Sequence, residues 1–113
     1  DYFERKAYTT ASYSRCSLLT DYGEFLNRSN DTTIRKGIAT LEDIALHAGS
    51  MWERYAAAHA IHEVKESLND KTVNGVLSAE QRESLTKELA AILEQIITAE
   101  KSQSLQERYQ DFQ

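Results

Sequence analysis

The sequence predicts an all-α fold, an antiparallel bundle of three long helices. The chain of 113 residues has no Pro and only four Gly. Proline removes a backbone donor and clashes with the preceding turn, so its absence allows long uninterrupted helices. Apolar residues also recur at helical spacing through most of the chain. The length suits a single domain over residues 1–113. Because the chain does not begin with Met, we also consider it a fragment of a longer protein.

The first helix is predicted over residues 2–28. Its apolar stripe recurs at helical spacing and consists of Ala7, Ala11, Leu18, Tyr22 and Phe25. The segment is rich in Thr, Ser and Tyr, which are poor helix formers, so we expect it to need packing partners. The polar stretch "NRSND", residues 27–31, ends this pattern. Asn30 or Asp31 can cap the helix that follows.

The second helix is predicted as one continuous element over residues 32–69. Its early stripe contains Ile34, Ile38, Leu41, Ile44, Ala45, Ala48, Trp52 and Tyr55. After Ala58 the apolar residues Ile61, Val64 and Leu68 lie on roughly the opposite side. We therefore expect the first half to pack on helix one and the second half on helix three. Gly37 and Gly49 lie inside this segment, where a small residue lets another helix approach closely.

The third helix is predicted over residues 79–100. Its apolar face consists of Leu85, Leu89, Ile92, Leu93, Ile96 and Ile97. Three further apolar residues point the other way: Leu105, Tyr109 and Phe112. Ser104 and Glu107 have the spacing of a capping box. A kink or a short fourth helix beginning near 101–104 follows, and a continuous helix packed on two faces is the alternative.

This change of face also predicts where the chain self-associates. A three-helix core covers the main stripe of helix three and leaves Leu105, Tyr109 and Phe112 for a second chain. Tyr2 and Tyr13 lie away from the stripe of helix one, where aromatic residues often mark an interface. These five residues are therefore the predicted interface of a homodimer.

The segment "DKTVNGVLSAEQ", residues 70–81, resembles the twelve-residue loop of a calcium-binding EF-hand. Asp70, Thr72 and Asn74 occupy positions one, three and five, and Gly75 occupies position six. Position twelve requires a bidentate glutamate, but Gln81 stands there. The ligand positions then contain one carboxylate, Asp70, which is too little charge for ordinary calcium affinity. We therefore predict that calcium has no structural role.

A turn followed by a helix cap explains the same stretch. Asn74-Gly75 is a typical pair for a tight turn with positive φ. Val76 and Leu77 are expected to anchor the turn on the core. Ser78 is expected to cap helix three, and Gln81 is placed to complete a capping box.

The segment "HAIHEVKE" contains a second set of candidate metal ligands. His59 and Glu63 are four residues apart, as are His62 and Glu66, so one helix presents two imidazoles and two carboxylates on neighbouring faces. The paired Glu-x-x-His motifs of di-iron bundles are absent. An ordinary helix face with His–Glu pairs is the preferred interpretation, so no metal or other cofactor is predicted.

The charge and the cysteine content limit the functional classes. A formal net charge of −5 argues against a nucleic-acid binder, which needs excess Lys and Arg. The single cysteine, Cys16, cannot form an internal disulfide, which favours a reducing, cytoplasmic location. Cys16 lies opposite the apolar stripe of helix one, and an inert thiol is expected. No nucleophile constellation or phosphate loop is found, so we do not expect an enzyme.

The stretch "YSRCSLLTDYGEFLNRSNDTTIRKGIATLEDIALHAGSMWERYAAAH", residues 13–59, resembles a BAR domain of the sorting-nexin kind. Such domains run a helix of the form L-x-x-F/Y-G-x-x-L into a polar break, followed by a second long helix with a leucine-rich stripe. The resemblance implies coiled-coil-like dimerisation, and in the family a basic concave face bends membranes. We expect a non-enzymatic protein interaction or scaffold module that self-associates. A BAR-type membrane-trafficking domain and a metal-binding bundle are the alternatives.

Overall fold

A computed structural model of the chain describes residues 2–70 and 74–112, with side chains from residue 14 onward. The described part is helical and contains no strand, which confirms the predicted all-α class. It contains five α-helices and a terminal 3₁₀ turn: α1 Tyr2–Leu26, α2 Asp31–His47, α3 Met51–Ser67, α4 Ala79–Ala99, α5 Gln103–Tyr109 and the turn Gln110–Phe112. Asn30 caps α2, because its side chain accepts a hydrogen bond from the Thr33 backbone.

The predicted continuous helix over residues 32–69 is two helices in the structure. α2 ends at His47 and α3 begins at Met51, and the intervening Ala48 has an extended backbone with ψ of 141°. Arg54 stabilises this break, since its Nη1 donates to the Ala48 carbonyl at 2.8 Å. Because of the break, the Ala48 carbonyl leaves the regular helical hydrogen-bond pattern. It gains the charged guanidinium of Arg54 as a donor, which a straight helix would not offer it.

The main neighbour of α1 is α3, not the first half of the predicted second helix. The contacts between them follow the same order along both helices. The Cys16 thiol lies 3.5 Å from the Trp52 carbonyl, and the Ser67 hydroxyl lies 2.9 Å from the Asn27 side chain. These two helices therefore run parallel. Because α1 starts at Tyr2, roughly three to four of its turns precede the level at which α3 begins.

The buried face of α1 differs from the predicted apolar stripe. Leu18 and Phe25 of that stripe are 66% and 59% exposed, whereas Leu26 is fully buried. Gly23 is also buried, and a Cβ on it would lie 3.1 Å from the Cβ of Ala60. Small residues thus bring α1 close to α3 and rotate its large apolar side chains outward.

The hydrophobic core is continuous from the α1–α2 connection to the C-terminus. Its largest fully buried apolar side chains are Leu26, Ile34, Leu41, Ile61, Leu85, Leu89, Ile96, Leu105, Val64 and Tyr109. The chain turns at 100–102, and α5 then folds back so that its apolar side faces inward. Ser102 caps α5 by accepting a hydrogen bond from the Leu105 backbone, so the cap of this short helix lies two residues before the predicted cap at Ser104.

The connection before α4 is a turn built around the Asn74 side chain. Asn74 is 2% exposed, its Oδ1 accepts from the Val76 backbone at 2.9 Å, and its Nδ2 donates to the Ser29 carbonyl at 2.9 Å. Gly75 does not have a positive φ, contrary to the prediction, because this side chain replaces the backbone turn. Leu77 is buried as predicted, but Val76 is 62% exposed.

Ser78 begins α4 with the predicted capping box. Its hydroxyl accepts from the Gln81 backbone, and the Gln81 side chain accepts from the Ser78 backbone at 2.9 Å. We expect Ser78→Ala to lower the free energy of unfolding by about 1 kcal/mol in urea titrations, because one helix donor loses its acceptor. Ser84→Ala, at an exposed position of the same helix, is the control and is expected to change little. Equal midpoints for both variants would contradict this role of Ser78.

Candidate functional site

A groove between α1 and α2 is the candidate binding site. Its volume is about 530 Å³. Its apolar wall consists of Leu18, Leu19, Tyr22, Ile44 and Ala48, and its polar rim consists of Arg15, Asp43, His47 and Glu53. Volume and composition fall within the range of sites that bind an apolar group and orient it with a few polar contacts.

Gly37 explains why the groove opens at one end of the helix pair. A Cβ on Gly37 would lie 2.5 Å from Leu26 Cδ2 and 2.9 Å from the Tyr22 hydroxyl. The absence of a side chain there lets α1 and α2 meet closely at that level, as the sequence predicted. Toward Arg15 and His47 the helices are separated, and the gap between them is the groove.

The polar rim of the groove contains one ion pair and one carboxylate that has no partner among the described residues. Arg15 of α1 forms an ion pair with Glu53 of α3 across the end of the groove. Asp43 is exposed and forms neither an ion pair nor a hydrogen bond within the described residues. The groove thus offers an apolar wall with an acidic group at its edge.

Cys16 lies beside the groove with its thiol directed toward α3. It is partly buried rather than opposite the packed face, and its Sγ contacts the Trp52 carbonyl at 3.5 Å. Burial raises the pKa of the thiol, the Glu53 carboxylate raises it further, and Arg15 acts in the opposite direction. A raised pKa reduces the thiolate fraction near neutral pH, which agrees with the inert thiol expected from the sequence.

The predicted C-terminal interface residues lie in the core of the chain itself. Leu105 is 1% exposed, Tyr109 is fully buried and Phe112 is 7% exposed. The turn at 100–102 directs all three inward, so in this fold they are not available to a second chain. Tyr2 and Tyr13, the other predicted interface residues, lie outside the residues whose side chains are described.

The four candidate metal ligands on α3 do not converge. His59 Nε2 lies 3.4 Å from Glu63 Oε1, as an ordinary pair four residues apart. The His62 ring instead stacks on Phe112, with ring centroids 4.7 Å apart. Within residues 14–70 and 74–112, no three His, Cys, Asp or Glu side chains are grouped so that they could hold a metal ion. In the EF-hand-like stretch, Thr72 lies outside the described residues, and the Asn74 oxygen is already used by the turn.

Sequence reasoning missed the polar junction between α3 and the C-terminal turn. Arg54 Nη2 and Nε contact the two oxygens of Glu100 at 3.0 and 3.1 Å, and the Glu100 side chain is only 4% exposed. The two residues are 46 positions apart. No local pattern connects them, so the sequence alone carried no signal for this pair.

The Tyr109 hydroxyl near this junction is buried and has no hydrogen-bond partner among the described residues. Burial is the main cause that raises the pKa of this phenol, and Glu100 raises it further. An unfolded tyrosine ionises near pH 10, whereas the buried one resists ionisation, so unfolding releases a proton above about pH 10 and the folded state loses stability as the pH rises further.

We therefore expect Tyr109→Phe to stabilise the protein. At neutral pH the gain should be about 1 kcal/mol, because an unpaired buried hydroxyl is removed. Above about pH 10 the advantage over the wild type should grow by about 1.4 kcal/mol per pH unit. Urea titrations between pH 7 and 11 measure both effects. An advantage that stays constant with pH would mean that water reaches the hydroxyl in the folded chain.

Comparisons with known proteins identify no relative of the chain. No protein-family model, curated protein or solved structure matches it. The resemblance to BAR domains therefore stays a prediction. None of the helices in the described residues is both long enough and apolar enough to cross a membrane.

Proposed function

We propose that the chain is a non-enzymatic helical interaction module that self-associates through α1 and serves as a scaffold. The exposure of two large apolar side chains on this helix carries the proposal. Leu18 and Phe25 are 66% and 59% exposed and lie two helical turns apart. Tyr22 lies between them and stacks on Phe25 with ring centroids 6.2 Å apart, so the three form one apolar strip.

The strip and the groove favour a second copy of the chain as the partner. Leu18 projects at the edge of the groove, so a projection and a cavity lie side by side on one surface. In a twofold-symmetric dimer, the same patch faces itself, and each Leu18 can enter the groove of the other copy. Burying one such side chain contributes about 1.5–3 kcal/mol. Two symmetric insertions thus bury two Leu18 side chains.

Sedimentation equilibrium of the wild type and of Leu18→Asp with Phe25→Asp tests the proposal. We expect the wild type to dimerise below about 100 µM, and the double variant to remain monomeric because two carboxylates cannot enter an apolar groove. The matched control is Ser17→Asp with Thr20→Asp. It adds the same charge to exposed positions of the same helix that lie away from the strip.

A strictly monomeric wild type at that concentration would contradict self-association. A dimer that both double variants weaken equally would contradict the assignment to the strip, because net charge alone would then explain the effect. Circular dichroism of each variant shows whether the helices are retained. All four substituted positions are exposed, so we expect full helicity.

A further inference from the structure

One side of α3 carries four ring side chains: Trp52, Tyr55, His59 and His62. At about 100° per residue they lie on one side of the helix, opposite Ala57, Ala60 and Val64, which pack in the core. The four rings form a stripe about 15 Å long. We call these four residues the aromatic stripe. Tyrosine and tryptophan are enriched in the interfaces between proteins.

The C-terminal segment, residues 103–112, covers the aromatic stripe in the manner of a bound peptide. Tyr109 and Phe112 stack on Tyr55 with centroid distances of 6.1 and 5.8 Å. The Arg108 guanidinium lies 4.6 Å from the centre of the Trp52 ring. The segment buries Leu105, Tyr109 and Phe112, and its other residues are exposed. Anchors at i, i+4 and i+7 on a short amphipathic helix are the pattern of helix-in-groove recognition.

The fit between the C-terminal segment and the rest of the chain is incomplete. The Tyr109 hydroxyl and His62 Nδ1 are both buried without a hydrogen-bond partner among the described residues. Each buried unpaired group destabilises the docked arrangement. α5 is also only seven residues long, well below the length at which a helix is stable by itself. Its position therefore depends on its contacts with the rest of the chain.

We propose that the aromatic stripe is a docking surface for an amphipathic helix of a partner protein, and that the C-terminal segment occupies it in the isolated chain. The partner presents a large aliphatic residue at i and aromatic residues at i+4 and i+7. Phenylalanine fits the i+4 position better than tyrosine, because it leaves no hydroxyl unpaired. This surface lies on α3 and does not use the Leu18 strip, so either proposal can fail without the other.

A labelled peptide with the sequence of residues 101–113 and Tyr109→Phe serves as the probe. Fluorescence anisotropy measures its binding to the full chain. In the chain variant Leu105→Ser with Phe112→Ser, the internal segment loses two anchors and leaves the stripe open. We expect this variant to bind the probe about tenfold or more tightly than the wild type, because the competing segment no longer occupies the site. Gln103→Ser with Gln110→Ser, at exposed positions of the segment, should behave as the wild type.

Three results would overturn the proposal. The first is a helical double variant that does not bind the probe. The second is a double variant that binds the wild-type chain but not the probe. The aromatic stripe would then bind the C-terminal segment of another copy of the chain rather than a partner protein. The third comes from hydrogen exchange of the wild type: α5 amides as slow as the slowest in α3 and α4 would make the segment part of the cooperative core. That measurement also decides the matter if the double variant fails to fold, and we expect faster exchange in α5.

Discussion

Arg54→Ala is expected to lower the free energy of unfolding by about 3 kcal/mol, because it leaves a buried carboxylate without its partner. Glu100 is held by two hydrogen bonds from Arg54, at 3.0 and 3.1 Å, and its side chain is only 4% exposed. Urea denaturation followed by circular dichroism measures the loss. Glu100→Gln should cost less, since Arg54 is 19% exposed and can turn toward water.

The position of Arg54 explains why one side chain has this influence. Besides Glu100, its Nη1 donates to the Ala48 carbonyl at 2.8 Å, so it connects the α2–α3 break to the end of α4. Arg35→Ala is the matched control. Arg35 pairs with Asp31 and with Glu88, but its side chain is 38% exposed, and the loss should stay below about 1 kcal/mol. Equal losses for the two arginine variants would show that burial of the Arg54 pair contributes nothing.

The sequence predicted α4 and its start well because the signals there are local. Ser78 and Gln81 are three residues apart, and their reciprocal hydrogen bonds depend only on the first turn of the helix. The apolar face of α4 also matched, with Leu85, Leu89 and Leu93 buried. Both features follow from helical geometry without reference to the rest of the chain.

The break at residues 48–50 depends on distant contacts, and the pattern therefore failed there. The apolar stripe continued from Ala45 through Ala48 to Trp52, so periodicity indicated one helix. The structure ends α2 at His47 because Arg54 binds the Ala48 carbonyl and is itself held by Glu100. The direction of the C-terminal turn was equally non-local. The sequence identified the change of face at Leu105 but not that the chain folds back to bury it.

The candidate site could not be predicted from the sequence for a third reason, which is that α1 buries a small residue and exposes large ones. Hydrophobic periodicity weights Leu18 and Phe25 heavily and Gly23 hardly at all. In the structure the burial is the reverse of what this weighting predicts, because Gly23 faces Ala60 and the two larger residues face solvent. The sequence did contain one signal for this packing: Gly23 lies one helical turn from the apolar residue Leu26. A glycine in such a place indicates that two helices approach closely, rather than that the helix breaks. The groove and the exposed strip both follow from this rotation.

Gly23→Leu is expected to destabilise the protein by about 2–3 kcal/mol, the upper range for overpacking a well-filled contact. A Cβ at this position would already lie 3.1 Å from the Cβ of Ala60 and 3.5 Å from its Cα, so the added side chain must push α1 away from α3. Gly23→Ala should be nearly neutral, because a gain in helix propensity of about 1 kcal/mol offsets slight crowding. Thermal and urea unfolding of the series measure the differences.

Two further variants separate helix crowding from other effects of a larger residue. Gly49→Leu is the matched control: a Cβ there meets no atom within 4 Å, so we expect a change within about 0.5 kcal/mol. Ala60→Gly in the Gly23→Leu background removes the opposing methyl group and should recover part of the lost stability, beyond the sum of the single changes. If the changes in the free energy of unfolding were simply additive, the residues at positions 23 and 60 would not interact. The close approach of α1 to α3 would then not be the reason that Leu18 and Phe25 face outward.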